Sequence, residues 1–166
     1  MRNNNNNPMF QEIERKFLVS GDFSSEVFES TDIKQGYLCG NGGVSVRVRV
    51  RGDKGYLTIK GRRNPNGLSR FEWEKEIARE EAEALLALAE GDLIEKTRHL
   101  VKNTDGRHTW EIDVFHGDNE GLVVAEIELS SEDDTFDRPE WLGMEVSSDP
   151  RYHNSHLLKQ PYKTWK

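Results

Sequence analysis

With a single cysteine, Cys39, the 166-residue chain cannot be stapled by an internal disulfide, which fits a reducing, cytoplasmic setting. It also lacks any apolar run near the roughly 18–20 residues that a membrane-spanning helix needs, so no membrane partner is expected. A basic excess is missing too. The formal net charge is −7, which is the wrong sign for a nucleic-acid partner. The start has no apolar signal-peptide core; Met1 to Pro8 is asparagine-rich instead. Residues 1–8 are therefore expected to be a disordered or linker tail, with Met9 as the functional start. Residues 9–166, which carry no long-period repeat and no internal linker, are expected to form one domain.

What is present is alternation. Hydrophobic residues make up 34% of the chain and charged residues 32%, yet the apolar ones recur with short periods, as a globular protein requires. In 44–51 the even positions are all valine and the odd ones are Ser45, Arg47, Arg49 and Arg51. That is the period of a strand with two unlike faces. Similar runs predict strands over 12–19, 33–39, 56–60, 69–77, 94–102, 107–115, 122–129 and 144–147. A loop is expected over 20–32, and Gly-rich turns at 40–43 and 52–55. Strong helix formers with an Ala82/Leu85/Leu86/Ala89 stripe predict a helix over 80–90, with Gly91 at its C-terminal cap. Ser131 is placed to cap a short helix over 132–136. Asp149-Pro150 is placed to start a last helix over 151–158, with Tyr152 and Leu157 as packing residues. The fold class is α+β, dominated by antiparallel sheet.

The charged faces are segregated. Glu12, Glu14 and Lys16 share one face of their strand, with Ile13 and Phe17 opposite. Glu111 and Asp113 form a second such set, and Glu126 and Glu128 a third. Cations occupy one face of other strands: Arg47 and Arg49, then Lys60, then Lys96 and Arg98. Two readings are open at this point. The charged faces meet solvent, as in an ordinary antiparallel sheet, or they line a wet interior. In the second case one wall offers hard oxygen ligands for Mg²⁺ or Mn²⁺, and the other offers Arg forks and Lys charges for phosphate oxygens. Lys16 has a salt bridge to its neighbouring carboxylates as its simplest role. The histidines show no metal-ligand spacing.

Glu12-Ile13-Glu14-Arg15-Lys16 resembles the ExExK motif of the CYTH superfamily, the triphosphate tunnel metalloenzymes. The resemblance continues in order through Arg47-Val48-Arg49, Leu57-Thr58-Ile59-Lys60, Arg70-Phe71-Glu72-Trp73-Glu74, Glu95-Lys96-Thr97-Arg98, Glu111-Ile112-Asp113 and Ala125-Glu126-Ile127-Glu128. It implies an eight-stranded antiparallel β-barrel with a few flanking helices, its charged faces turned inward around a triphosphate and a divalent cation, Mg²⁺ or Mn²⁺. It implies Glu12, Glu14, Glu126 and Glu128 as metal ligands, with Asp113 as a further ligand or a supporting group. Arg47, Arg49, Lys60, Lys96 and Arg98 are implied to hold phosphate, with Arg70 as a further candidate. Glu72 and Glu74 are implied either to pair with these cations or to hold a second metal. Arg51, near its turn, is expected at the surface. The stretch Gln35-Gly36-Tyr37-Leu38 resembles bacterial inorganic triphosphatases, where the motif lysine and a tyrosine act together; Lys16 and Tyr37 are thus the catalytic candidates. The activity implied is hydrolysis of inorganic triphosphate to pyrophosphate and phosphate. The alternatives are a class IV adenylyl cyclase, a thiamine triphosphatase, and a module that binds polyphosphate without turnover. Outward apolar faces that need cover make a homodimer plausible.

Overall fold

The computed structural model describes residues 8–165; the asparagine-rich start, 1–7, lies outside the described residues. Nine strands run in chain order: β1 (Gln11–Val19), β2 (Val27–Asn41), β3 (Val44–Arg51), β4 (Lys54–Arg63), β5 (Ser69–Ile77), β6 (Ile94–Lys102), β7 (Thr109–Phe115), β8 (Val123–Glu128) and β9 (Leu142–Glu145). All pairings among them are antiparallel, in the order β5-β4-β3-β2-β6-β7-β8-β1-β9. A further pairing of β5 with β1 closes eight of them into a barrel and leaves β9 as an appendage on β1. Closure removes the open edges that a flat sheet would expose.

The apolar faces point outward and are covered by the chain itself. Phe17, Trp110, Ile112 and Ile127 are sealed under Phe23 and the segment carrying Phe136, Trp141 and Leu142. Val48, Leu38 and Leu57 are sealed under α1 (Arg79–Leu86) through Ala82 and Leu86. Two glycines allow that helix to sit close. A Cβ on Gly36 would lie 2.7 Å from the Ala89 Cβ, and one on Gly55 would lie 2.6 Å from the Ala82 Cβ. These clusters cover part of the outward apolar surface; Val44 on β3 and Phe71 on β5 stay 47% and 46% exposed. Among the described residues no helix is long and apolar enough to cross a membrane.

Four expectations need correction. The loop expected over 20–32 gives way to strand from Val27 onward, because β2 pairs with β6 from Val27↔Val101 to Gln35↔Ile94. This half of β2 is held by backbone ladder bonds rather than by an apolar stripe, so its sequence carries no alternation to read. The helix over 80–90 ends at Leu86. Beyond it, Leu88 and Ala89 bond back only three residues, and Glu90 N–H donates to the Tyr37 carbonyl at 2.9 Å. That bond to the barrel wall captures the chain before the helix can continue; Gly91, at φ +74°, turns it away. No helix forms over 132–136. Asp134 there accepts from Ser130 and His108, and Phe136 packs edge-on against Phe17 and Trp110. The final helix is also shorter than expected. A 3-10 turn, Pro150–Tyr152, is capped by Asp149, and α2 (Asn154–Leu157) follows after an extended His153.

His108 clamps the covering segment. Its Nδ1 meets Asp105 at 2.6 Å and its Nε2 meets Asp134 at 3.0 Å, so both ring nitrogens face carboxylates. The hydrogen bond to Asp105 and then that to Asp134 raise the His108 pKa against the opposing effect of burial, while Asp105 and Asp134 are lowered. A raised histidine pKa stabilises the fold fully below the ordinary value of about 6.5 and loses that stabilisation as pH rises through the raised value. Thermal melting should therefore fall as pH is taken from 6 to 8.5, and His108→Gln should flatten that fall. An unchanged slope in the variant would contradict the clamp.

Candidate active site

Inward positions on consecutive strands converge on a cavity of about 200 Å³ inside the barrel. Eight Arg or Lys side chains and seven Glu side chains line it, in a chain whose net charge is −7. The interior is thus slightly cationic while the exterior carries the negative excess. An outer solvent-facing sheet would not segregate charge in this way. The alternation in 44–51 is resolved accordingly: Arg47 and Arg49 are buried inside, and Val48 is buried outside against α1.

The cations are held by carboxylates. Lys60 bridges Glu12 and Glu72 at 2.7 Å each. Arg70 meets Glu12 at 2.9 Å across the β1–β5 closure, where Glu12 and Arg70 stand opposite each other. Arg49 bonds Glu74 at 2.8 Å, and Arg47 lies 3.8 Å from the same carboxylate. The Nε atoms of Arg47 and Arg49 are enclosed and have no protein partner. Burial, reinforced by Arg47, pushes Arg49 down to about 10, which still leaves it charged near neutral pH. These two guanidiniums keep donors free for an anion that enters the tunnel.

Arg98 is the hub of the opposite wall. It meets Asp113 at 2.7 Å, Glu126 at 3.3 Å, and Glu111. Burial opposes its charge, but Asp113 and Glu111 prevail and hold it well above its ordinary value. Lys96 pairs with the same Asp113. It sits behind the cavity wall at 2% exposure and is not among the residues that line the cavity. Burial and then Arg98 bring Lys96 down to about 8, against the pull of Asp113. Asp113 likewise is not left open for a cation. Arg98 takes one of its oxygens, and Lys96 and Arg98 share the other. Asp113 positions two cations, as a supporting group would.

Lys16 Nζ lies 2.8 Å from Glu126 and donates to the Tyr152 carbonyl at 3.2 Å. Burial works against its charge, yet Glu126 and Glu14 outweigh it and raise its pKa. Lys16 is therefore an ammonium near neutral pH and no base. Tyr37 lines the same cavity beside Arg70, but the Lys16 bonds go to Glu126 and Tyr152 rather than to Tyr37.

Among the described residues no three carboxylates or imidazoles converge into a ready-made metal cage. The donor set nevertheless suits a hard divalent cation. Glu14 and Glu128 stand directly opposite on β1 and β8, and Glu111 and Glu126 do so on β7 and β8. Like charges in such pairs destabilise a sheet. Glu14 is compensated by Arg63 at 3.1 Å, and Glu126 by Lys16 and Arg98. Among the described residues no cation is bonded to Glu128: burial, Glu12, Glu111, Glu72 and Glu14 all raise its pKa. A carboxylate crowded by carboxylates is where a divalent cation fits.

Several lining residues escape a reading of the sequence. Arg51, expected at the surface, lines the cavity rim. Arg63 lines it too, from the last turn of β4, where a register shift interrupts the pairing with β5. Glu111 lies on the carboxylate face it shares with Asp113, and strand alternation is the signal that marks it. His153, Asn154 and Ser155 reach the cavity from the C-terminal segment, where no periodicity announces them.

Comparison with known proteins agrees with this geometry. The model of the CYTH domain matches residues 11–156. An inorganic triphosphatase of Acetivibrio thermocellus is 50% identical over 159 residues, which is 95% of this chain and 99% of that protein. One of Nitrosomonas europaea is 39% identical over 149 residues, covering 88% and 95%. A crystal structure of an inorganic triphosphatase superposes with a TM-score of 0.64 at 36% identity, over 89% of this chain and 93% of that one.

Proposed function

Since the chain belongs to the CYTH family, we propose that its tunnel binds inorganic triphosphate together with Mg²⁺ or Mn²⁺ and hydrolyses it to pyrophosphate and phosphate. The observation that carries this is the interior itself: seven carboxylates and eight cations facing one another inside a closed barrel. Water's oxygen bonds to the terminal phosphorus, the bridging oxygen leaves with its electron pair on pyrophosphate, and the water proton passes to solvent.

Glu12, Glu14, Glu126 and Glu128 are the residues that would hold the cation. When bound it supplies a Lewis acid that neutralises phosphate charge. The other roles belong to the chain's own groups. Arg47, Arg49, Lys60, Arg70 and Arg98 grip phosphate oxygens through donors that now rest on carboxylates. Loading the tunnel is thus an exchange of partners: the Glu side chains pass to the metal as the Arg and Lys side chains pass to phosphate. Lys16, kept cationic, stabilises charge near the plugged end. Tyr37, across the barrel on β2, orients water or the leaving oxygen.

Incubation with Mg²⁺ and either tripolyphosphate or ATP should release phosphate from tripolyphosphate by far the faster. Formation of cyclic AMP from ATP would overturn the assignment in favour of a cyclase. We place the protein in the cytoplasm, in keeping with its lone free thiol.

A further inference from the structure

One end of the tunnel is closed by the chain's own C-terminal segment. The inward faces of β1, β6, β7 and β8 turn from charged to apolar toward that end, through Leu18, Ile94, Phe115 and Val124. There they pack on Tyr152 and Leu157. The segment is anchored three ways: by this apolar contact, by the Lys16 bond to the Tyr152 carbonyl, and by the Asp149 cap on Arg151 N. The two residues after Tyr152 therefore have fixed positions.

Those two residues hold polar atoms with nothing to bond. His153 Nε2 and Asn154 Oδ1 are both enclosed and without a partner, and both side chains line the tunnel cavity. An enclosed polar atom without a hydrogen bond destabilises the fold. His153 also lines an outer cleft with Pro150, His156 and Lys159, so it lies between the tunnel and that cleft. Burial, with Lys16, Arg63 and Arg70 nearby, pushes its pKa down to about 4. The ring is therefore neutral near pH 7, with one N–H donor to offer amid three cations. An anion drawn in by those cations brings the missing acceptor.

We propose that His153 and Asn154 are substrate-contacting residues: His153 donates to an oxygen of the phosphate nearest the C-terminal segment, and the Asn154 Oδ1 accepts from a water attached to that phosphate. This rests on the triphosphatase reading and adds to it a phosphate contact from outside the barrel strands. It explains why a plug that packs through Tyr152 and Leu157 also turns polar side chains toward the tunnel.

His153→Phe keeps the ring's bulk and removes its polar atoms. It should raise KM for tripolyphosphate about tenfold, the usual loss for a hydrogen bond to a charged group. Its kcat should stay within about threefold, because the contact is made in ground and transition states alike. His153→Gln, which keeps a donor, should retain near-normal KM. Without ligand the Phe variant should melt no lower than the parent, because no protein partner is lost. Wild-type KM in His153→Phe would overturn the proposal. If that variant fails to fold, Asn154→Leu takes its place: a raised KM supports the contact and a wild-type KM overturns it. Titration calorimetry with tripolyphosphate separates the two levels. A parent that binds but does not turn over sinks the hydrolysis reading, yet weaker binding by His153→Phe would still uphold the contact.

Discussion

Glu128→Gln should melt at or above the parent in the presence of a chelator and lose about a thousandfold in turnover when Mg²⁺ is supplied. The two effects have one cause. Glu128 faces Glu14 directly across the β1–β8 pairing and is crowded by Glu12, Glu72 and Glu111, with no cation among the described residues bonded to it. Without metal, its negative charge opposes folding, so the neutral amide relieves repulsion. With metal, the same charge is needed. Mg²⁺ should therefore raise the melting temperature of the parent and barely move that of Glu128→Gln. A variant that keeps full turnover would remove Glu128 from the ligand set. One that melts well below the parent in chelator would show that the carboxylate has a partner.

Arg98→Ala should be the most damaging single change to both fold and activity. Arg98 is buried and touches Asp113, Glu111 and Glu126 together. Truncation leaves three carboxylates facing one another around a void, with Lys16 still bonded to Glu126 and Lys96 to Asp113. Breaking a buried ion pair costs about 3–5 kcal/mol, which for a domain of this size lowers melting by roughly 10 °C. Arg98→Lys keeps the charge but cannot span Asp113 with two nitrogens, so it should fold better than the Ala variant and still turn over slowly. Melting curves and initial rates on both variants check this. An Arg98→Ala protein that melts like the parent would refute the hub.

Much of this site is legible in the sequence because strand alternation is strict. Period two places Glu12, Glu14 and Lys16 on one face and Arg47 and Arg49 on another, but it cannot say whether a face looks in or out. The family resemblance supplies that direction, and the covered outward clusters under α1 and Trp141 supply its physical basis. Alternation is also silent on depth. Lys96 and Asp113 share the inward parity yet sit below the cavity floor, because parity fixes a face and not a depth. It undercounts where the chain bends: Arg63 lies past a register shift in β4, and His153 lies on a segment with no period at all. The first half of β2 and the truncated α1 are illegible for another reason. Both are set by bonds to distant strands, β6 in one case and the Tyr37 carbonyl in the other.

At the centre stands a tunnel that brings a metal and a triphosphate together so that water cleaves the terminal phosphoanhydride. Phosphorus NMR of tripolyphosphate with the protein and Mg²⁺ in oxygen-18 water tests this in one tube. Phosphate and pyrophosphate should form in equal amounts, with the label in phosphate alone, and no reaction should occur in chelator. Tripolyphosphate that stays intact with Mg²⁺ and with Mn²⁺ would contradict it.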